Sequence, residues 1–210
     1  MKKFIIVGAG GFGREVYNWL LDSYSDDLIK GFLSPNKNDL NNTGIIKPIL
    51  GDEQNYNINE NDRFILAIGD PNLRFKISNT ILEKGGIFES FIHPTAIVSK
   101  SAQIKNGTII CPFCIVGPQS IVGSFSLLNF YSSIAHDSIL GSYSILSPYS
   151  TINGCSSVGD FSFLSTGVSI APKIKIGSKV RISAGCAITT NIPDNTLIPP
   201  LQYKVYRGIV

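Results

Sequence analysis

From Ile92 onward every sixth residue is aliphatic, through Ile110, Val122, Ile134, Leu146, Val158 and Ile170 to Ile188, seventeen positions without an exception. A second series runs beside it. Four residues after each of the first twelve stands a small side chain: Ala96, Ala102, Thr108, Cys114, and then serine at every sixth position from Ser120 to Ser162. Helices repeat every 3.6 residues and strands every 2, so neither explains a strict period of six. A triangular coil does. Each six-residue unit makes one short flat face, three faces make a turn, the aliphatic residue points inward and the small residue fits near a corner. Gly117, Gly123, Gly141, Gly159 and Gly177 are expected to ease the bends. Sixteen units then give a little over five turns.

The first ninety or so residues follow another pattern. "KFIIVGAGGFGREVYNWLL" reads as strand, glycine turn and helix, with Gly8-x-Gly10-x-x-Gly13 at the junction. In "RFILAIGDPNLRFKI" a strand over Phe64 to Ile68 precedes a helix that Asp70 caps and Pro71 opens. Alternating strands and helices predict a small Rossmann-like α/β domain with a parallel sheet, residues 1–91, followed by an all-β coil, residues 92–210. Pro193, Pro199 and Pro200 in "NIPDNTLIPPLQYKVYRGIV" are expected to stop the coil and cap it.

Composition narrows the chemistry. A net charge of +3 with no Lys/Arg run argues against nucleic acid. "MKKFIIVGAGGFG" turns polar too soon for a secretory signal, and no apolar run is long enough to span a bilayer, so a cytoplasmic protein is expected. The four cysteines are then expected to be reduced, with Cys114 of Cys111-x-x-Cys114 simply filling a small-residue slot. A lone glycine fingerprint is weak evidence for a dinucleotide. The acidic residue that should follow is replaced by Ser34-Pro35, so NAD chemistry is not expected. What remains is a helix N-terminus whose N–H groups suit a phosphate or diphosphate, or else only a tight turn.

His136 is one of only two histidines, lies two places after the inward Ile134, and is followed by Asp137. An imidazole, with an ordinary value near 6.5, is matched to removing a proton from an amine about neutrality, and a carboxylate on its other nitrogen would fix the tautomer. Adjacent residues on a strand point different ways, so this contact requires a bent backbone. The alternative is an exposed or interface histidine without chemistry. His93, in "FIHPTA", is expected to shape the domain junction.

The six-residue repeat resembles that of left-handed parallel β-helices, most of whose known members are trimeric acyltransferases. "IIVGAGGFGREV", "FILAIGDPNLRFKI", "FIHPTAIVS" and "LLNFYSSIAHDSILGSYS" together resemble the NeuD/PglD-type nucleotide-sugar N-acetyltransferases over nearly the whole chain. The resemblance implies acetyl transfer from acetyl-CoA to the amino group of a nucleotide-linked sugar, commonly a 4-amino-4,6-dideoxyhexose, in bacterial surface-glycan synthesis. It implies His136 as base with Asp137, and Asn129 facing the same site. The nucleotide side falls on Gly10, Gly11, Phe12, Gly13, Ser34, Gly69 and Arg74. The coenzyme side falls on Gly154, Thr166 and Ala184, in a homotrimer with sites between subunits. Apart from the resemblance, some of Lys173, Lys175, Lys179 and Arg181 in "APKIKIGSKVRIS" are candidates for the coenzyme phosphates, the alternative being a merely solvated basic face.

Several family features are missing. "FLSPN" stands where "FIDD"-like acidic residues hold the base, Phe12 and Ile145 replace histidines found in some members, and "IPPLQYK" stands in place of "GVPAK". O-acetylation of a sugar or sialic acid hydroxyl, or a trimeric scaffold without activity, are the alternatives. No metal is expected. A zinc enzyme resembling γ-class carbonic anhydrases needs about three histidines, and the two here are 43 residues apart, roughly 10 Å along a coil with strands about 4.8 Å apart.

Overall fold

The computed structural model describes residues 1–200 of the chain. Residues 201–210, the last part of the expected cap, lie outside the described residues. Strand β1 (Lys3–Val7), helix α1 (Gly11–Leu21), strands β2 (Ile29–Leu33) and β3 (Asp62–Leu66) and helix α2 (Pro71–Glu83) build a parallel sheet of order β2-β1-β3. Their side chains explain the layout. Ile5, Ile6, Phe32, Phe64 and Leu66 are buried on both sides of the sheet, as continuous apolar runs in parallel strands require. Strand β3 starts two residues earlier than the Phe64 expected from hydropathy. Its first residue, Asp62, is buried but paired with Lys30 at 2.8 Å and with the Tyr56 hydroxyl at 2.7 Å, which lets a carboxylate open a core strand.

Helix α2 begins as its sequence predicts. Asp70 Oδ1 accepts from the N–H groups of Asn72 and Leu73, both at 3.0 Å, and Pro71 takes the first turn. After Phe88 the chain runs into a parallel β-solenoid of two-residue strands in three flat sheets. The first face has seven strands, from Phe91–Ile92 to Leu197–Ile198. The second has six, from Ile97–Val98 to Ala187–Ile188, and the third five, from Gln103–Ile104 to Lys175–Ile176.

Registry is 18 residues per turn, as in Ile134 beside Ile152 and Ile152 beside Ile170. It tightens only at the end, where Ile182 pairs with Ile198, 16 residues on. That shortened turn, with the seventh strand on the first face, makes about six turns rather than a little over five. An unbroken period of six cannot register it. The inward aliphatics from Ile110 to Ile188 are buried; Ile92, Val98 and Ile104 are not fully so, because no coil lies beneath the first turn.

The bends differ from expectation. Gly117, Gly123, Gly141, Gly159 and Gly177 do not adopt positive φ. They sit where successive coils come closest, so that a Cβ on Gly123 would lie 2.4 Å from the Ser142 nitrogen. The turning residues are instead those just before the small slot, left-handed at Phe113, Gln119, Phe125, Tyr131, Asp137 and onward. Each non-glycine residue in that region costs about 1–2 kcal/mol. Hydrogen bonds to the coil below offset the cost, as from Asp137 N to Pro118 O at 3.0 Å and from Tyr143 N to Ser124 O at 2.9 Å.

The buried corner hydroxyls stitch the coils together. Ser126, Ser144, Ser150 and Ser162 each donate to the carbonyl fifteen residues on, at 2.6–3.0 Å. Cys114 does occupy this slot, its Sγ 3.1 Å from Asn129 O, and burial raises the thiols of both Cys111 and Cys114. Protonated, buried thiols are poor metal ligands and poor nucleophiles.

The three edges between faces now have distinct surroundings. On the third edge Phe125, Tyr143 and Phe161 stack at 5.1 Å intervals against Phe75 of α2 and Phe88. At the start of the solenoid buried His93 ties Asp22, at the end of α1, to Thr95, at 2.9 and 2.8 Å. Among the described residues no helix is long and apolar enough to cross a membrane.

Candidate active site

The second edge carries His136. Asp137 occupies the left-handed corner with φ of 56°, and this bend turns its carboxylate back onto the preceding residue, Oδ2 lying 2.8 Å from His136 Nδ1. Both side chains remain more than half exposed. The imidazole lies against the next coil at Gly154, eighteen residues on. A Cβ there would stand 2.6 Å from Nε2 and 2.7 Å from Cε1, so the ring fits only because position 154 has no side chain. A rigid corner, a carboxylate on one nitrogen and a second nitrogen with no hydrogen-bond partner among the described residues make a group able to accept a proton from an incoming nucleophile.

Other expected residues divide by edge. Lys173 is the left-handed corner residue two coils beyond Asp137 on the same second edge. Asn129, Thr166 and Ala184 belong to the first edge, where Asn129 Oδ1 accepts from Phe130 N at 2.8 Å. Seven residues separate Asn129 from His136, more than one six-residue unit, so a single chain does not bring them together. The four basic residues do not form one patch either. Lys175 is on the third face and Lys179 on the third edge. Arg181, on the first face, lies 5.0 Å over Phe163 and 3.5 Å from Asp70, which makes it a tether to α2 on the side away from His136.

In the N-terminal domain the glycine turn does leave a helix end open. Gly10 caps α1 with no side-chain hydrogen bond, Gly10 and Gly11 are exposed, and nothing lies within 4 Å of a Cβ built at Gly10. The first-turn N–H groups are therefore free for an anion. Beside them opens a cavity of about 300 Å³ lined by Gly10, Ser34, Asp39, Glu53 and Leu73. Gly69, exposed just after Ile68 of that lining, has open space around it.

Three expected contacts are corrected. Gly13 is buried, and a Cβ on it would meet Gly8 O at 2.0 Å, so it serves helix packing. Phe12 packs edge-on against Trp19 of its own helix, at 6.1 Å. Arg74 is fully buried and cannot touch a ligand. Its guanidinium donates to Leu66 O and Ile68 O at 2.9 and 2.7 Å, and to Phe125 O at 2.8 Å, bolting the end of β3 to the solenoid. Burial pushes it down to about 9, still well above neutrality. Ser34 lines the cavity, but its hydroxyl is already committed to Asp39.

Sequence reasoning missed Gly154 as the support of His136, although its offset of one full turn is legible from the period. It also missed Asp39 and Glu53. They follow no motif and reach the cavity only through folding.

Residues 3–81 match the family described as the PglD N-terminal domain. PerB from Caulobacter crescentus, solved with CoA and GDP-perosamine, superposes with a TM-score of 0.82 at 26% identity, over 94% of this chain and 93% of that one. The N-terminal domain is of the PglD type. The acetyltransferase domain of PglB from Neisseria gonorrhoeae, in complex with acetyl coenzyme A, gives a TM-score of 0.84 at 25% identity, over 93% and 95% of the two chains. In sequence, the GDP-perosamine N-acetyltransferase of Escherichia coli O157:H7 is 28% identical over 149 residues, covering 65% of this chain and 63% of the relative. That match spans less than two thirds of the curated relative's length.

Proposed function

We propose that this protein moves the acetyl group of acetyl-CoA onto the amino group of a nucleotide-linked amino sugar, a 4-amino-4,6-dideoxyhexose, for surface-glycan assembly. The observation that carries the reading is the His136–Asp137 pair, 2.8 Å apart and exposed on a rigid edge. An ammonium cannot attack a thioester. His136 Nε2 takes the proton from the attacking amine, while Asp137 holds the proton on Nδ1 and favours the imidazolium that forms. His136 then returns the proton to the departing thiolate. The acetyl donor supplies an activated thioester carbonyl, and the Gly154 backbone and Lys173 on the same edge are the groups of this chain best placed to hold it.

The diphosphate of the sugar nucleotide sits at the open N-terminus of α1, with the base in the cavity beside Ser34, Asp39 and Glu53. Relatives solved or named with GDP-perosamine support a guanosine diphosphate carrier.

The active unit is a homotrimer. The second solenoid face presents Ile97, Ile115, Ser133, Thr151, Ser169 and Ala187 outward, a flat apolar-to-small surface that the N-terminal domain does not cover. Packing that face against a second copy brings the first edge of one subunit, with Asn129, Thr166 and Ala184, toward the His136 edge of another. Acetyl-CoA as co-substrate puts the enzyme in the cytoplasm.

The test is thiol release from acetyl-CoA with UDP-, GDP- and dTDP-linked 4-amino sugars, each beside its 4-hydroxy counterpart. Turnover confined to an amino sugar is expected. Turnover only with a hydroxyl acceptor would replace the reading with O-acetylation, and none with any acceptor would leave a scaffold.

A further inference from the structure

One exposed thiol stands beside the catalytic pair and the reaction above does not use it. Cys155 occupies the left-handed corner, φ 59°, in register one coil beyond Asp137, and its N–H donates to His136 O at 3.1 Å. Cys111, Cys114 and Cys186 are buried; Cys155 is exposed. A ring nitrogen of His136, a carboxylate oxygen of Asp137 and the Cys155 sulfur all lie within 4.8 Å of one another.

We propose that His136, Asp137 and Cys155 form an inhibitory site for a borderline-soft divalent cation, of which Zn²⁺ is the type. The donor set is one imidazole, one thiolate and one carboxylate, the mixture that selects such ions over the hard cations Mg²⁺ and Ca²⁺. Three protein ligands on one side with solvent on the other leave a fourth position for water. Ligand–ligand separations in a tetrahedral site are about 3.3–3.8 Å, given metal–ligand bonds of about 2.0–2.3 Å. The three groups lie within 4.8 Å of one another, so closing the site asks for a shift of about 1 Å, within the reach of side-chain rotation. The Cys155 thiol gives up its proton to solvent on binding, and the cation takes the sulfur lone pair.

Inhibition follows from which nitrogen is used, and the argument rests on the proposed role of His136. A cation on Nε2 occupies the lone pair that receives the substrate proton. On Nδ1 it displaces the Asp137 contact, and the neutral ring then keeps its proton on Nε2. In both cases the imidazole ceases to be an acceptor. Cys155 thereby links the enzyme to the free zinc level without taking part in the chemistry.

The experiment begins without substrate. Metal-free protein is titrated with Co²⁺ as a spectroscopic substitute for Zn²⁺, and a thiolate-to-cobalt charge-transfer band in the near ultraviolet is followed in wild type, Cys155→Ser and His136→Ala. One Co²⁺ per chain with the band is expected in wild type. Cys155→Ser abolishes the band, and His136→Ala weakens binding at least tenfold. Acetyl transfer is then assayed with Zn²⁺ and after chelator: wild type is inhibited and recovers, whereas Cys155→Ser has wild-type turnover and needs at least ten times more Zn²⁺. Cobalt bound with no thiolate band, or equal Zn²⁺ sensitivity in Cys155→Ser, overturns the proposal. The band is read with no acceptor present, so a failed transferase assay with an intact band would sink the reaction assignment and leave the metal site standing.

Discussion

Replacing Gly154 with alanine isolates the contact that aims His136, the proposed base. The new Cβ would stand 2.6 Å from His136 Nε2, far inside van der Waals contact, and its host is coil backbone fixed by Lys173 N donating to Gly154 O at 3.0 Å. The side chain must therefore yield. A displacement of about 1 Å swings the imidazole away from Gly154 and off its Asp137 partner. Misplacement of that size costs about 10²-fold in rate, equivalent to about 2.7 kcal/mol in the barrier. Folding should scarcely notice, because φ at 154 is not positive and alanine is tolerated there. The assay is kcat for thiol release, with thermal unfolding as control, in wild type, Gly154→Ala, His136→Ala and the double variant. If the glycine works through the histidine, its replacement lowers kcat about 10²-fold in the wild-type background and has little further effect once His136 is gone. A Gly154→Ala enzyme with undiminished kcat, or one whose loss persists in full in the His136→Ala background, would refute the reasoning.

Arg74→Met removes a buried cation that binds carbonyls from both domains, and should cost about 3 kcal/mol, read as a fall of about 6–12 °C in Tm; a change under 2 °C would contradict the bolt. Ser162→Ala strips Val180 N of its acceptor and Gly177 O of a donor, and should lower stability by about 1–3 kcal/mol in urea titration. Burial pushes the Asp62 carboxyl up, but the Lys30 ammonium, Asn59 N–H and Tyr56 hydroxyl outweigh it and hold the group below the ordinary carboxylate value. Its contribution is therefore complete above the unfolded value of about 3.9 and is lost as the pH falls through the folded one. Stability curves from pH 6 to pH 2 should drop less steeply in Asp62→Asn than in wild type.

Much of the solenoid was written in period alone, because a coil of six-residue faces demands the same side-chain size at the same place each time. The period alone sets Ile134, Ile152 and Ile170 above one another, as the coil does. The period also held the support of His136, eighteen residues on, but a glycine at 154 reads as one more small residue until the imidazole lying on it is seen. The corners differ from the expectation for a related reason. Glycine is the usual bearer of positive φ, yet here backbone bonds between coils stabilise left-handed Phe, Tyr, Asp and Cys, and the glycines are set by close approach instead. Arg74 shows a different gap. Nothing in "DPNLRFKI" distinguishes an arginine facing phosphate from one facing carbonyls 51 and 52 residues further along. Asp39 and Glu53 reach the cavity from an irregular stretch between β2 and β3, where no repeat guides the eye.

The central claim is that an imidazole on the second edge accepts a proton from the attacking amine. The most direct measurement is kcat for acetyl transfer to a GDP-linked 4-amino sugar in His136→Asn beside wild type, with Tm and acetyl-CoA affinity measured on both. A loss of about 10²–10⁴-fold in kcat with folding and donor binding intact is the predicted result. A His136→Asn enzyme within tenfold of wild type would contradict it.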